Sequence, residues 1–203
     1  MSVNLSKTVI QVETEQVQEQ LSQWIKNDRR RIRIFAELIM AIPLSRSVQG
    51  TDLAENIIRD VQDQSIQQML RRFYKNPAIT WEAFYLPLLQ AALGRLRLPV
   101  YELVMDTTQV GAEHRAVVLS LTYHNRSLPL VWTVEAGSKG HSKEAVQVAL
   151  LKQLAAHIAF PGPVIFLGDT EFDGVEVQEQ LRTLGWYYVL RTSPTLYIYP
   201  AQG

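Results

Sequence analysis

Two aspartates in this sequence each close an apolar run. Asp106 follows Leu103-Val104-Met105, and Asp169 follows Val164-Ile165-Phe166-Leu167-Gly168. Carboxylates at the ends of neighbouring strands offer the hard oxygen ligands that Mg2+ prefers, and paired ions held this way carry out phosphoryl transfer. A complete site of this kind wants a third oxygen ligand. No acidic residue follows Glu179 in the sequence. Glu171 stands close to Asp169 and is the fallback metal ligand. Its simpler reading, shared with Asp173, is an acidic start to the next loop and helix.

The elements that must position these aspartates fall into two halves. Ile32, Phe35, Ala36, Ile39 and Met40 keep the spacing of one buried helical face, and Pro43 is expected to end that helix. Thr51 or Asp52 is placed to cap a short helix through Ile58. Ile66, Met69, Leu70, Phe73 and Tyr74 form a third apolar stripe that stops at Asn76-Pro77. Thr80 should cap a helix from Trp81 to Leu93, with a kink or break at Pro87 and an end at Gly94.

From residue 100 the period changes. Tyr101 to Thr107, Ala116 to Tyr123 and Leu128 to Val134 read as strands, the last two joined as a hairpin through His124-Asn125-Arg126-Ser127. Gly137 to His141 reads as a loop. Ser142 is a plausible N-cap for a helix reaching about Ala159, with Glu144 in its first turn. A buried strand from Val164 to Leu167, a helix from Gly174 to Leu184 and a strand from Trp186 to Arg191 complete the order. Three strands before the first helix argue against a plain doubly wound sheet. The order matches an α/β ribonuclease H-like fold, a three-stranded meander followed by parallel strands with helices, here preceded by an all-helical region. In that order the first and fourth strands are neighbours. One aspartate alone reads as an ordinary turn residue; the pair, each on a strand the fold sets side by side, reads as metal ligation. Asp106-Thr107-Thr108 also loosely resembles the nucleophile motif of haloacid dehalogenase-type phosphatases. That motif wants a second aspartate where Thr108 stands and a helix where strands follow.

Composition narrows the classes. The chain has 203 residues, 47% of them hydrophobic and 20% charged, in the range of a globular protein with a sizeable core. It has no cysteine, which excludes disulfides, thiolate metal sites and a cysteine nucleophile. The polar stretch Met1 to Gln20 lacks a signal-peptide core, and no apolar run reaches membrane-spanning length, so a cytoplasmic protein without a membrane partner is the expectation. Formal charge is zero overall. Residues 1–99 hold 13 basic and 10 acidic residues, and residues 100–203 hold 7 and 10, a mild tilt of +3 against −3. His114, His124 and His157 are not spaced as metal ligands, and there is no P-loop.

On the helix ending at Asn76, Gln67, Gln68, Arg71, Arg72 and Lys75 share the face opposite the apolar stripe. Arg29, Arg30, Arg31 and Arg33 form a second basic cluster. Most such faces are simply solvated, but amide and cationic side chains are also what a helix presents to phosphates and base edges.

Six motifs run in a familiar order: Arg71 to Pro77; Met105-Asp106-Thr107-Thr108; Leu130-Val131-Trp132; Gly137 to Ser142; Gly168 to Gly174; and Gly185 to Arg191. Together they resemble DDE transposases of the insertion sequence 4 type, over about Arg30 to Arg191. The resemblance implies Asp106 and Asp169 as the first two catalytic carboxylates, with two Mg2+ (or Mn2+) ions in a site completed by a glutamate. It implies Mg2+-dependent strand cleavage and transfer on double-stranded DNA at the element ends. It also implies a helical DNA-binding region at 1–97, with Gln68, Arg71, Arg72 and Lys75 as contacts, and a catalytic core at 98–203. Lys139 and His141 become candidate phosphate or DNA contacts beside flexible glycines. In the family a β-rich insertion and a helix bearing the glutamate follow the last strand. Residues 192–203 supply neither, so the expectation is a truncated and inactive form, pairing with itself or with a full-length transposase. Two alternatives stand beside it: a non-catalytic DNA-binding remnant that inhibits a full-length enzyme, and a stand-alone nuclease using Asp106, Asp169 and Glu171.

Overall fold

The computed structural model describes residues 7–137 and 142–192. The chain divides into two compact units, Met1–Arg95 and Leu96–Gly203.

The first unit is helical: α1 (Lys7–Trp24), α2 (Arg29–Ser45), α3 (Gly50–Asn56), α4 (Asp63–Tyr74) and α5 (Leu86–Leu93). Leu21, Ile25, Ile32, Ala36, Leu53, Ile66, Leu70 and Phe73 are buried in its core. Phe84 is the centre of an aromatic cluster, meeting Phe35 edge-on at 5.4 Å and Phe73 at 6.0 Å. Buried Glu37 accepts hydrogen bonds from Arg59 (Nη2 at 2.9 Å) and from Arg33 Nε at 3.2 Å, so its charge is paired rather than stranded.

Several helix ends differ from the sequence expectation. Asp28, not predicted as a cap, accepts the backbone N–H groups of Arg30 and Arg31 and starts α2. Pro43 does not end α2. The helix runs on to Ser45, because a proline in the last turn removes one bond where few remain, and Arg46 closes it in the left-handed conformation. Neither Thr51 nor Asp52 caps α3; Gln49 occupies that position without a side-chain bond. Thr80 does cap, accepting Ala83 N–H at 3.1 Å. The break expected at Pro87 takes the form of a π-helical turn, Trp81–Tyr85, ahead of α5.

The second unit is a five-stranded mixed sheet ordered β3-β2-β1-β4-β5. Its strands are β1 (Tyr101–Val110), β2 (His114–Tyr123), β3 (Arg126–Ala136), β4 (Val164–Gly168) and β5 (Tyr187–Leu190). β1, β2 and β3 form an antiparallel meander; β4 and β5 join parallel to β1. This is the ribonuclease H-like order. The β2–β3 turn is only two residues, His124 and Asn125, both at positive φ, which matches the twist of the flanking strands.

Helices α6 (Glu144–His157) and α7 (Val175–Thr183) cover one sheet face. Tyr101, Leu103 and Met105 of β1, Val117, Leu119 and Leu121 of β2 and Phe166 of β4 point into that layer with Leu151 and Leu154 of α6 and Leu181 of α7. Strand alternation sends Val104, Val118, Trp132, Val134, Leu167 and Val189 to the other face. There Trp132, Val134 and Val189 are exposed. No helix among the described residues is long and apolar enough to cross a membrane.

The start of α7 is capped from α6. Glu144 Oε1 accepts the backbone N–H of Glu176 at 2.6 Å and of Val177 at 3.3 Å, a carboxylate at the positive end of the helix. A Cβ at Gly174 would collide with that same oxygen. Gly174→Ala should therefore displace the Glu144 cap and lower stability by about 1 kcal/mol, the usual worth of a lost cap, read as a drop in the urea midpoint at constant m-value.

Candidate functional site

Asp106 does not end its strand. β1 runs on to Val110, paired with β2 throughout, and Asp106 lies opposite Val118. What ends near it is the parallel ladder with β4, whose last pairs are Leu103↔Phe166 and Val104↔Leu167. Continuing that register by two residues sets Asp106 against Asp169. Continuing the β4–β5 register from Gly168↔Leu190 sets Asp169 against Arg191, and Arg191 N–H donates to Gly168 O at 2.9 Å. The three residues thus form one row across the C-terminal ends of the parallel strands.

Asp106, Asp169 and Arg191 line one open depression of about 470 Å³, floored by Val104, Leu167 and Val189. Both carboxylates are exposed. Each uses Oδ1 locally: Asp106 accepts Thr107 N–H at 2.9 Å, and Asp169 accepts Glu171 N–H at 2.9 Å. Arg191 was not singled out by sequence reasoning. Only the strand register sets it beside the depression the two acids line, and no local pattern signals that.

Glu171 goes elsewhere. Its Oε1 accepts Thr107 Oγ1–H at 2.8 Å, Ser142 N–H at 2.8 Å and Ser142 Oγ–H at 2.5 Å. Thr107 is fully buried on the helix-covered face, opposite Asp106 by strand alternation. Gln147 Nε2, buried in α6, donates to Ser142 Oγ at 2.9 Å and to Glu171 O at 3.1 Å. Burial alone would raise the Glu171 pKa. The bonds from Ser142 and Thr107, with the charge of Arg115, outweigh it and hold the carboxyl below its ordinary value. Ser142 is accordingly not the N-cap of α6. Lys143 holds that position, without a side-chain bond, because the serine hydroxyl is committed to Glu171.

Gln68, Arg71 and Arg72 on α4 and Lys75 just after it are all exposed and line one shallow depression of about 390 Å³. Tyr74, expected in the apolar stripe, is instead 56% exposed beside them. In the α2 cluster Arg31 bonds Asn27 and Arg33 pairs with Glu37, so those two serve the fold. Lys139 and His141 lie outside the described residues.

As for metal, the donors fit a hard divalent cation: two exposed carboxylates in one open depression. Mg2+ is commonly held by one or two carboxylates with water and substrate phosphates completing its shell. Among the described residues no group of three or more histidine, cysteine or acidic side chains converges on such a site.

Residues 103–196 match the family described as Transposase DDE domain. Over that segment, just under half of the chain, the protein is similar to transposase DDE domains. That match runs from Leu103, the third residue of β1, past the end of β5 and includes the whole carboxylate row. No curated protein matches this chain. Among solved structures, a chain of the crystal structure of the Mos1 strand transfer complex is similar at 14% identity and a TM-score of 0.33. The similarity covers 79% of this chain and 58% of that one, so the present chain spans little more than half of its length.

Gly168, next to Asp169, has no room for a side chain. A Cβ there would sit 2.9 Å from Leu190 Cδ2 and 3.0 Å from Phe172 Cβ. Gly168→Ala should cost about 1–3 kcal/mol by overpacking between β4 and β5. Circular-dichroism thermal melts would register it as a lowered Tm.

Proposed function

We propose that this chain acts in DNA transposition of the insertion sequence 4 type, with Asp106 and Asp169 as the carboxylates of a Mg2+- or Mn2+-dependent site for DNA strand cleavage and transfer. The observation that carries this reading is the single row Asp106, Asp169 and Arg191 lining one open depression within the segment that is similar to transposase DDE domains. A bound divalent cation would activate the attacking oxygen and stabilise the leaving one. Asp106 and Asp169 would hold that cation through their carboxylates, and Arg191, lining the same depression, would offer its guanidinium to a phosphate oxygen.

The exposed row Gln68, Arg71, Arg72 and Lys75 supports double-stranded DNA as the partner of α4, since a helix face of amides and cations suits phosphate and base-edge contacts. A second reading is DNA binding without cleavage. It is favoured by the lack, among the described residues, of a third acid joining Asp106 and Asp169.

Two experiments test these readings. Asp106→Asn and Asp169→Asn should each abolish Mg2+-dependent nicking of duplex DNA while leaving DNA affinity intact; nicking unchanged in both would sink the catalytic assignment, and no nicking in the parent chain would favour the second reading. For DNA, replacing Arg71, Arg72 and Lys75 together by alanine should flatten the slope of log affinity against log salt by about 3, each phosphate contact contributing roughly 0.9. An unaltered slope in fluorescence-anisotropy titrations would remove α4 from the interface.

A further inference from the structure

A chain of hydrogen bonds through Thr107 and Glu171 runs from one aspartate to the other. Asp106 Oδ1 holds Thr107 N–H. Thr107 Oγ1–H donates to Glu171 Oε1, and Glu171 N–H donates back to Asp169 Oδ1. The anchor continues into α6 through Ser142 and Gln147. Glu171 is the residue through which every branch passes. Its carboxylate lies on the helix-covered side with Thr107, and it does not line the depression that Asp106 and Asp169 share.

We infer that Glu171 is a positioning residue: its carboxylate, anchored on Thr107 and Ser142, fixes the Asp169 side chain relative to Asp106 and does not itself bind the cation. This rests on the reading of Asp106 and Asp169 as cation ligands. The geometry explains why an acid is used. One oxygen takes three donors, two of them hydroxyl or amide groups of Ser142, and an anionic acceptor makes such bonds short and strong. A rigid loop results without lending the carboxylate to the depression. Thr107 contributes a hydroxyl where a fully buried β1 position would otherwise take an apolar side chain, which marks it as part of the same device.

The test uses the whole chain and Mn2+ alone, titrated while the paramagnetic resonance signal of the free ion is followed. Glutamine keeps an acceptor oxygen in place, so Glu171→Gln should bind Mn2+ within about threefold of the parent, whereas Glu171→Ala and Thr107→Val should weaken binding by about tenfold or more, as loss of an outer support does. In parallel, amide hydrogen exchange without metal should speed up at residues 169–173 and 142–147 in Glu171→Ala and return toward the parent rate in Glu171→Gln. Loss of Mn2+ binding in Glu171→Gln equal to that in Asp169→Asn would overturn the inference by making Glu171 a ligand. Unchanged exchange and affinity in Glu171→Ala would overturn it by removing any role. If Asp106→Asn and Asp169→Asn leave Mn2+ binding unaltered, the cation reading itself fails, and the exchange rates alone decide whether Glu171 holds the loop.

Discussion

Parallel pairing of β1 with β4 is the constraint on which the carboxylate row depends. Its register, Val104 against Leu167, decides which residues meet beyond the ladder. A slip of one residue would turn every following β4 side chain to the opposite face. Asp169 would then point into the helix layer, and Leu167 would leave the floor it shares with Val104. The register is held by burial: Leu103 and Phe166 are paired and fully enclosed, so exchanging them for their outward neighbours would strand apolar surface in water.

The helix layer does more than cover the sheet. α6 reaches both neighbours of the row, with Gln147 bonded to the Ser142–Glu171 junction and Glu144 bonded to the start of α7. The segment between β4 and α7 is therefore held at both ends by one helix. Thr107, Ser142 and Gln147 are polar groups placed in an otherwise apolar layer. The bonds of Thr107 Oγ1, Ser142 Oγ and Gln147 Nε2 offset part of the desolvation that burial costs, while Gln147 Oε1 stays buried without a partner.

Much of this architecture was legible in sequence because its signals are local. Alternating Val, Leu and aromatic residues gave the three meander strands. Asn125 in a short polar break marked the hairpin, and the order of elements gave the fold class. The length of β1 was underread, since Thr108, Gln109 and Val110 carry no apolar alternation and stay in the strand only through pairing with β2. Helix α1 was also missed. Its inward stripe is thin, with Leu21 the one buried residue and Val17 packed in part against the core, so tertiary contact carries what periodicity does not. The bonding of Ser142 to Glu171 and the place of Arg191 in the depression with the two aspartates could not be read. These residues are distant in sequence and are brought together by pairing that no local window contains.

The same distance separates the ladders of the sheet in another respect. β2 and β3 are joined by a turn of two residues, so their pairing orders little intervening chain. The pairing of Val104 with Leu167 closes a loop of 63 positions. Loop closure costs more entropy as the loop lengthens. By that measure the meander is the cheaper part of the sheet to form, and the ladder that unites Asp106 with Asp169 is the costlier one. A chain still emerging or only partly folded would carry both acids and yet have no site, which ties the appearance of the carboxylate row to completion of the whole unit.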